Sequence, residues 1–196
     1  MPRRAPSRAK ERPPAERIVH FVRHGEYVNG PDSEGALTPR GRRQALLLAA
    51  HFRGLTIDCI RSSDVVRAQE TADILAKRLR AGRVTRHKLL REMLPAPVPT
   101  LKVPAHKRAD AKRRLNQIVR RFLRSSRETR HEIFVCHGNL IRALLLQVAV
   151  GRATGFHRLR IHHGGITTFA VTSTGRIDIV AFNHVGHVPV RSRTYA

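Results

Sequence analysis

The stretch Ile18-Val19-His20-Phe21-Val22 is rich in β-branched and aromatic residues, and Arg23-His24-Gly25-Glu26 follows it directly. This composition predicts a buried strand, so His24 lies where a strand gives way to a loop. Glu132-Ile133-Phe134-Val135 has the same character and is followed by Cys136-His137-Gly138-Asn139. In an open α/β sheet, ligands bind in the crevice beyond the carboxyl ends of the strands. Two histidines and an arginine at that edge predict a phosphate-binding site.

Strands and helices alternate along most of the chain, which predicts an α/β fold. We expect a three-layer sandwich, in which a mostly parallel central sheet is covered by helices on both faces. A final hairpin adds antiparallel strands at one edge. The predicted strands span 18–22, 56–61, 84–89, 132–136, 166–172 and 176–182. The predicted helices run from Thr38-Pro39 to Gly54, from Ser62-Ser63-Asp64 to about Leu79, over 106–128 and over 140–150. Thr38 is expected to cap the first of them, and the side-chain oxygens of Ser62-Ser63-Asp64 are expected to cap the second.

Composition narrows the range of partners. The 38 basic residues exceed the 14 acidic ones by 24, which favours anionic partners: phosphorylated substrates, nucleic acid, acidic proteins or anionic membrane surfaces. An arginine-rich solvated surface is the alternative interpretation. Cys59 and Cys136 fall in predicted strands, so we expect small core residues rather than a disulfide or a metal pair. No apolar run approaches the roughly 20 residues of a membrane span.

The first 17 residues differ in composition from the rest. They are rich in Arg, Pro and Ala, which predicts a disordered basic tail ahead of a single domain over residues 18–196. An organelle-targeting peptide is the alternative, and Glu11, Glu16 and the prolines argue against it. The sequence therefore favours a cytoplasmic protein.

The residues at the predicted sheet edge suit phosphoryl transfer, in which negative charge must be held and stabilised. Arg23 and Arg67 are the candidates for binding phosphate oxygens, because a guanidinium binds two of them at once. A neutral His24 is the candidate nucleophile, and His137 would bind a non-bridging oxygen. A carboxylic acid must protonate the leaving oxygen and then activate water. Glu92, after the third strand, is the first candidate for that acid.

Five short motifs follow one another along the chain. They are Arg23-His24-Gly25, Leu37-Thr38-Pro39-Arg40-Gly41-Arg42-Arg43-Gln44-Ala45, Ser62-Ser63-Asp64-Val65-Val66-Arg67-Ala68-Gln69-Glu70-Thr71-Ala72, Leu90-Arg91-Glu92 and His137-Gly138-Asn139. Together they resemble the histidine phosphatase superfamily, branch 1, which has the phosphoglycerate mutase-like fold. The resemblance implies a phosphatase with His24 as the phosphorylated nucleophile, Arg23, Arg67 and His137 around the phosphate, and Glu92 as proton donor. It implies no metal cofactor. Within the superfamily the chain looks most like the mitochondrial protein serine/threonine phosphatases.

Departures from the family pattern sharpen these expectations. Many members have an asparagine six residues after the nucleophile; this position is Gly30 here, and Asn29, one residue earlier, is the candidate for the phosphate contact. The segment after Glu92 is shorter than the insertion of true mutases, which favours a phosphatase with an open cleft. A mutase-type phosphotransferase and a non-catalytic module that binds phosphate or nucleic acid are the alternatives. The substrate is expected to be a phosphoprotein or a small phosphoester.

Three further sites stay open at this point. Glu26 is the alternative proton donor to Glu92. His162-His163 is expected to enter a turn without a chemical role, because adjacent histidines on a strand point to opposite faces. The run Asn183-His184-Val185-Gly186-His187 either folds back over the site or lies apart from it.

Overall fold

The computed structural model describes residues 15–30, 35–98 and 102–195. In these ranges it has six strands and four α-helices. The strands are β1 (Glu16–Arg23), β2 (Cys59–Ser62), β3 (Thr85–Arg86), β4 (Arg130–Cys136), β5 (Ile166–Thr172) and β6 (Ile177–His184). The helices are α1 (Pro39–His51), α2 (Val66–Leu79), α3 (Ala105–Phe122) and α4 (Gly138–Val150).

One sheet contains all six strands, in the order β3-β2-β4-β1-β5-β6. The strands β3, β2, β4 and β1 are mutually parallel, whereas β5 and β6 are antiparallel to their neighbours. The central strand β1 pairs along its whole length, and its last residue, Arg23, stands opposite Cys136 of β4. This register brings the carboxyl ends of β1 and β4 level, so the residues that follow them are neighbours.

The helices cover both faces of the sheet. Successive residues of a strand point to opposite faces. Val22 and Ile133 therefore face α1 and α2, whereas Phe21 and Phe134 face α3 and α4. The predicted three-layer α/β sandwich with a mostly parallel sheet is confirmed. Both cysteines are free: Cys136 is buried in the core and Cys59 is half-buried.

Two helix starts show how local signals compete with tertiary contacts. Thr38 caps α1 as predicted, because its Oγ1 accepts a hydrogen bond from the Gly41 amide at 3.0 Å. The predicted cap of α2 is wrong: Val65 occupies that position and makes no side-chain cap. The side chain of Ser63 bonds His137 instead, and Asp64 pairs with Arg91.

Two predicted elements are shorter than expected. The strand expected over 84–89 pairs only at Thr85–Arg86 and then turns into a short 3₁₀ helix, Lys88–Leu90. The helix expected over 106–128 ends at Phe122. The carbonyl of Arg124, just past that end, accepts a hydrogen bond from Arg17 of β1, which holds the chain in a non-helical path.

The boundary of the domain also differs from the prediction. β1 begins at Glu16, so Glu16 and Arg17 belong to the sheet and not to a tail. Residues 1–14, which make up the rest of the predicted tail, lie outside the described ranges. Arg17 and Glu132 form an ion pair in which both side chains are below 8% exposed, and Arg61 adds a second donor to the same carboxylate.

We expect the substitution Arg17→Met to lower the free energy of unfolding by about 3 kcal/mol, because it leaves a buried carboxylate with a single, more exposed partner. Urea denaturation followed by circular dichroism measures this. Arg130→Met is the matched control: Arg130 lies in the neighbouring strand and pairs on the surface with Glu128. The control is expected to change stability far less than Arg17→Met does, because surface ion pairs contribute little. Equal effects of the two substitutions would contradict the importance of the buried pair.

Candidate active site

Two buried histidines meet at the carboxyl edge of the sheet. His24 follows β1 and His137 follows β4, and their ring centroids lie 5.1 Å apart. The amide of His24 donates to the carbonyl of Cys136 at 3.0 Å, which extends the ladder between the two strands by one step. His24 is 2% exposed and His137 is fully buried. The strand register therefore determines how close the rings are.

The backbone beside His24 packs tightly against the start of α1. A Cβ atom added to Gly25 would lie 2.5 Å from the carbonyl oxygen of Gly41, closer than real atoms approach. A Cβ on Gly41 would in turn collide with the backbone of Glu26. Glycine at these two positions lets the loop after β1 lie directly on the helix, which holds His24 at the sheet edge.

The hydrogen bonds of His24 define which nitrogen is reactive. Its Nδ1 lies 2.8 Å from the carbonyl oxygen of Gly25, which can only accept, so Nδ1 carries the proton. The Nε2 atom then keeps its lone pair and accepts a hydrogen bond from Arg67 Nε at 3.1 Å. Burial lowers the pKa of His24 well below its ordinary value, and His137, Arg23 and Arg67 lower it further, against the Gly25 carbonyl. The imidazole is therefore neutral at neutral pH.

Arg23 supplies the first positive charge of the pocket. It is 5% exposed, and its Nη1 donates to the Ile161 carbonyl at 2.7 Å. Its Nε has no hydrogen-bond partner among the described residues. Burial lowers the pKa of Arg23 to about 10, so the guanidinium is still charged at neutral pH.

Arg67, in the first turn of α2, supplies the second charge. Besides its bond to His24, its Nη2 lies 3.4 Å from His137 Nδ1, and its guanidinium stacks 4.5 Å from the centre of the Tyr27 ring. The hydroxyl of Thr71 donates to the Arg67 carbonyl at 2.8 Å and accepts from the Gly25 amide at 3.1 Å. Thr71 thus ties α2 to the loop that carries His24. Neither Tyr27 nor Thr71 was predicted from the sequence as part of the pocket.

His137 is oriented by a residue that the sequence assigned another role. Its Nε2 lies 3.0 Å from Ser63 Oγ, which leaves Nδ1 facing Arg67. Burial lowers the pKa of His137 to about 3, and the charges of Arg67, Arg23 and Arg114 act in the same direction. His137 is thus neutral, and the positive charge of the pocket comes from the guanidinium groups.

The two candidate acids occupy different environments. Glu92 lies at the cleft rim, where its carboxylate accepts hydrogen bonds from the backbone amides of Met93, Asn139 and Leu140 at 3.1–3.4 Å. Although the residue as a whole is exposed, neighbouring protein groups displace water from the carboxylate. This desolvation raises the pKa of Glu92. The three amides and the charge of Arg23 lower it, but by less than the desolvation raises it.

Glu26 is held as an ionised group. Its carboxylate accepts from Thr38 Oγ1 at 2.8 Å and from Arg40 at 3.1 Å. Burial would raise the pKa of Glu26, but these hydrogen bonds outweigh it, so its pKa lies below the ordinary value. A carboxylate that hydrogen bonds hold in its ionised form in this way is a poor proton donor at neutral pH.

His163, which was expected to have no chemical role, forms a wall of the pocket. It lies in a turn, as predicted, and is 4% exposed, with its ring 5.5 Å from that of His24. Its Nδ1 lies 2.9 Å from Thr194 Oγ1, and burial lowers its pKa to about 3. The signal available in the sequence was its position just before β5, the antiparallel neighbour of β1.

Asn29 is not brought into the pocket by any hydrogen bond between described residues. It is exposed in the loop after Tyr27, next to residues 31–34, which lie outside the described ranges. Its phosphate contact stays a prediction. The arrangement that the structure does show is a buried, unprotonated nitrogen, Nε2 of His24, that accepts a hydrogen bond from Arg67 in a pocket where Arg23 adds a second positive charge. Such a site suits a phosphoryl dianion, because the arginines bind its oxygens while phosphorus faces the lone pair.

The buried histidines make the protein sensitive to acid. An imidazole whose pKa is lowered by folding stabilises the native state above the unfolded pKa near 6.5, and this contribution is lost as pH falls from there toward the folded pKa. For His163, with a folded pKa of about 3, the loss between pH 7 and pH 5 is up to about 2 kcal/mol.

We therefore expect His163→Gln to reduce the drop in unfolding free energy between pH 7 and pH 5 by up to about 2 kcal/mol. Urea denaturation at the two pH values measures the drop. The control is His106→Gln, an exposed histidine of α3, which is expected to leave the drop unchanged. A drop as large in His163→Gln as in the wild type would show that this histidine is not buried in the neutral form.

Comparison with known proteins identifies relatives of this arrangement. Residues 19–97 match the model of the histidine phosphatase superfamily (branch 1). The mitochondrial serine/threonine-protein phosphatase Pgam5 of Drosophila ananassae is 30% identical over 94% of this chain and 69% of its own length. The Pgam5 protein of Mus musculus is 30% identical over 89% of this chain and 65% of its own. The chain thus spans about two thirds of the length of these relatives.

Solved structures share the fold. Bacillus stearothermophilus YhfR superimposes with a TM-score of 0.69 at 20% identity, covering 88% of this chain and all of its own. A phosphoserine phosphatase mutant from Entamoeba histolytica, in complex with phosphoserine, gives a TM-score of 0.65 at 20% identity, with the same coverage. The phosphoglycerate mutase of Plasmodium falciparum gives 0.62 at 22% identity over 93% of this chain and 99% of its own.

The relatives correct one prediction. The cytoplasmic location expected from the sequence is wrong, because the Pgam5 relatives that match along about nine tenths of the chain are mitochondrial. Glu16, which argued against an organelle-targeting peptide, is part of β1. It therefore does not count against a targeting role for the residues before it. In the described part of the chain, none of the helices has the length and apolar character that crossing a lipid bilayer requires.

Proposed function

Because this chain belongs to the histidine phosphatase superfamily (branch 1) and is a phosphoric monoester hydrolase, we propose that it dephosphorylates phosphoserine or phosphothreonine in proteins through a phosphohistidine at His24. The observation that carries the proposed mechanism is the state of His24. Its imidazole is neutral, its Nδ1 proton is held by the Gly25 carbonyl, and its Nε2 lone pair faces Arg67, while the buried Arg23 adds a second nearby positive charge.

In the first step, Arg23, Arg67 and His137 hold the oxygens of the phosphoryl group. Nε2 of His24 attacks phosphorus, the bond from phosphorus to the ester oxygen breaks, and Glu92 gives its proton to that oxygen. The products are the free hydroxyl and a phosphohistidine. In the second step, Glu92 as carboxylate takes a proton from water while the water oxygen attacks phosphorus. The bond from nitrogen to phosphorus then breaks, inorganic phosphate leaves, and Nε2 recovers its lone pair.

The segment between Glu92 and β4 supports a bulky substrate. About half of it is α3, whose apolar stripe, including Leu115 and Ile118, is buried on the sheet and does not cover the His24 pocket. The basic side chains of Arg114 and Arg142 lie near Glu92, whose negative charge acts to raise the pKa of each guanidinium. The rim of the cleft is therefore positively charged. An open, basic rim suits an acidic phosphoprotein segment better than a small sugar acid. The relatives named as serine/threonine-protein phosphatases support the same substrate class.

The first test is hydrolysis of p-nitrophenyl phosphate in the presence of a chelator. We expect wild-type turnover to persist, and His24→Ala to lose at least about 10³-fold in kcat, since the nucleophile is gone. Wild-type protein quenched with alkali after incubation with a labelled substrate should carry base-stable phosphate that is lost on acid treatment and that His24→Ala lacks. His106→Ala, which alters an exposed histidine of α3, is the control with unchanged turnover. Full activity in a folded His24→Ala variant would refute the mechanism.

The second test separates the two candidate acids. A phosphoserine peptide needs its leaving oxygen protonated, whereas p-nitrophenolate leaves without a proton. We expect Glu92→Gln to lower kcat on the peptide about 10²–10³-fold. With p-nitrophenyl phosphate the same variant should release about one equivalent of nitrophenolate in a burst, since only the hydrolysis of the phosphohistidine then lacks its base.

Glu26→Gln is the matched comparison for this test. It should show neither the dependence on the leaving group nor the burst; if it shows both and Glu92→Gln neither, Glu26 is the acid.

The pH dependence of kcat on the peptide follows from the shifted pKa values of Glu92 and His24. Activity should be lost at high pH as Glu92, whose pKa is raised, gives up its proton, and at low pH only where His24 becomes protonated, well below pH 6.5.

A further inference from the structure

Three histidines converge outside the His24 pocket. His51 is the last residue of α1, His184 is the last residue of β6, and His187 follows three residues later. The ring of His51 lies 5.1 Å from each of the other two, and those two are 6.0 Å apart. One nitrogen from each ring lies within 4.8 Å of the others.

His187 has nitrogens that the protein leaves unsatisfied. Neither Nδ1 nor Nε2 has a hydrogen-bond partner of acceptable geometry among the described residues, although both atoms are buried. A buried polar atom without a partner destabilises the folded state, and an ion is one of the groups that explain such an atom. His51 and His184 are exposed, so the cluster is open to solvent on one side.

Two of the three rings, those of His51 and His187, have lowered pKa values. Burial lowers the pKa of His187 to about 4, and His51 and His184 lower it further, against the backbone of Gly164. Burial and His184 also lower the pKa of His51. Neutral imidazoles are the form that binds a metal, whereas protonated rings would repel each other at this distance.

We propose that His51, His184 and His187 form a zinc site with three protein ligands and one position open to solvent. A tetrahedral ion with bonds of about 2.0–2.1 Å holds its nitrogen ligands about 3.4 Å apart. The nitrogens lie within 4.8 Å of one another, so they reach that spacing when each ring moves by about 1 Å. Rotation of exposed histidine side chains supplies such a movement.

The donor set selects the class of metal. Imidazole nitrogens suit Zn²⁺, Cu²⁺ and Ni²⁺, whereas Mg²⁺ and Ca²⁺ require oxygen ligands, and the cluster contains no carboxylate. Arg193 acts on His187 as a nearby positive charge, which disfavours a cation held by charge alone. A metal held by bonds to nitrogen tolerates this charge better.

The cluster lies behind a wall of the His24 pocket. A Cβ atom on Gly164 would lie 3.9 Å from His187 Nε2, and the Gly164 amide donates to the carbonyl of Arg23 at 3.0 Å. Asn183, with a left-handed backbone (φ 49°), turns the chain just before His184 and hydrogen-bonds His162. A bound ion therefore links α1, the end of β6 and the segment after it, beside the turn that carries His163.

The test is zinc binding by the full chain, without a histidine tag, at pH 7.5. Competition with a chromophoric chelator gives the stoichiometry and the Kd, and Co²⁺ added in place of zinc gives a tetrahedral absorption spectrum. We expect one equivalent of zinc to bind and to raise the Tm. His51→Ala and His187→Ala should each weaken binding about 100-fold or more and abolish the shift in Tm.

Two controls make the test decisive. His106→Ala removes an exposed histidine of α3 and should bind zinc as the wild type does. His24→Ala should also keep the zinc site, which separates this proposal from the proposed catalytic function. The proposal is overturned if the folded wild type binds no zinc, or if His51→Ala and His187→Ala bind it as tightly as the wild type.

Discussion

The parallel pairing of β1 with β4 is the constraint on which the rest of this structure depends. Their register places Arg23 opposite Cys136, and one further hydrogen bond, from the His24 amide to the Cys136 carbonyl, continues the ladder into the site. Two loops that are far apart in the sequence therefore begin side by side at the carboxyl edge of the sheet. The distance between the histidine rings follows from backbone hydrogen bonds and not from attraction between the rings.

Burial determines the protonation states of the two histidines at this site. Removing His24 and His137 from water favours their neutral forms, and the nearby arginines shift both pKa values in the same direction. In the proposed mechanism the imidazoles serve as a nucleophile and a hydrogen-bonding group, while the guanidinium groups hold the charge. This division of roles suits a dianionic phosphoryl group. The lone pair of His24 stays unprotonated, while the neighbouring arginines supply the positive charge.

The C-terminal part of the chain completes the structure around this centre. His163 packs against His24, and Gln44 of α1 donates to the carbonyl of Ser192 and to Thr194. The segment after β6 therefore stabilises the pocket from behind, where the three-histidine cluster lies. A zinc ion there would act on the support of the pocket and not on the reacting atoms.

Much of this architecture could be predicted from the sequence, because it is encoded locally. Alternating strand and helix signals predict the three-layer fold, and Thr38-Pro39 predicts the start of α1. Two His-Gly junctions after buried strands predict the histidine pair. The boundaries were less accurate: Arg17 was assigned to a tail, although it is buried against Glu132, which lies 115 residues away in the sequence. Such a pair has no local signal.

The sequence by itself determined which residue types stand at the carboxyl ends of β1 and β4, because strand propensity and the residues that end a strand are properties of short segments. Only the tertiary structure decided what those residues contact. Ser63 is of a residue type that often caps helices, but its side chain hydrogen-bonds His137. His163 lies in a turn, as its sequence position indicates, and its ring packs against that of His24. The physical reason is that a side chain with several possible partners takes the one that burial leaves unsatisfied, and burial is a property of the assembled sheet and helices.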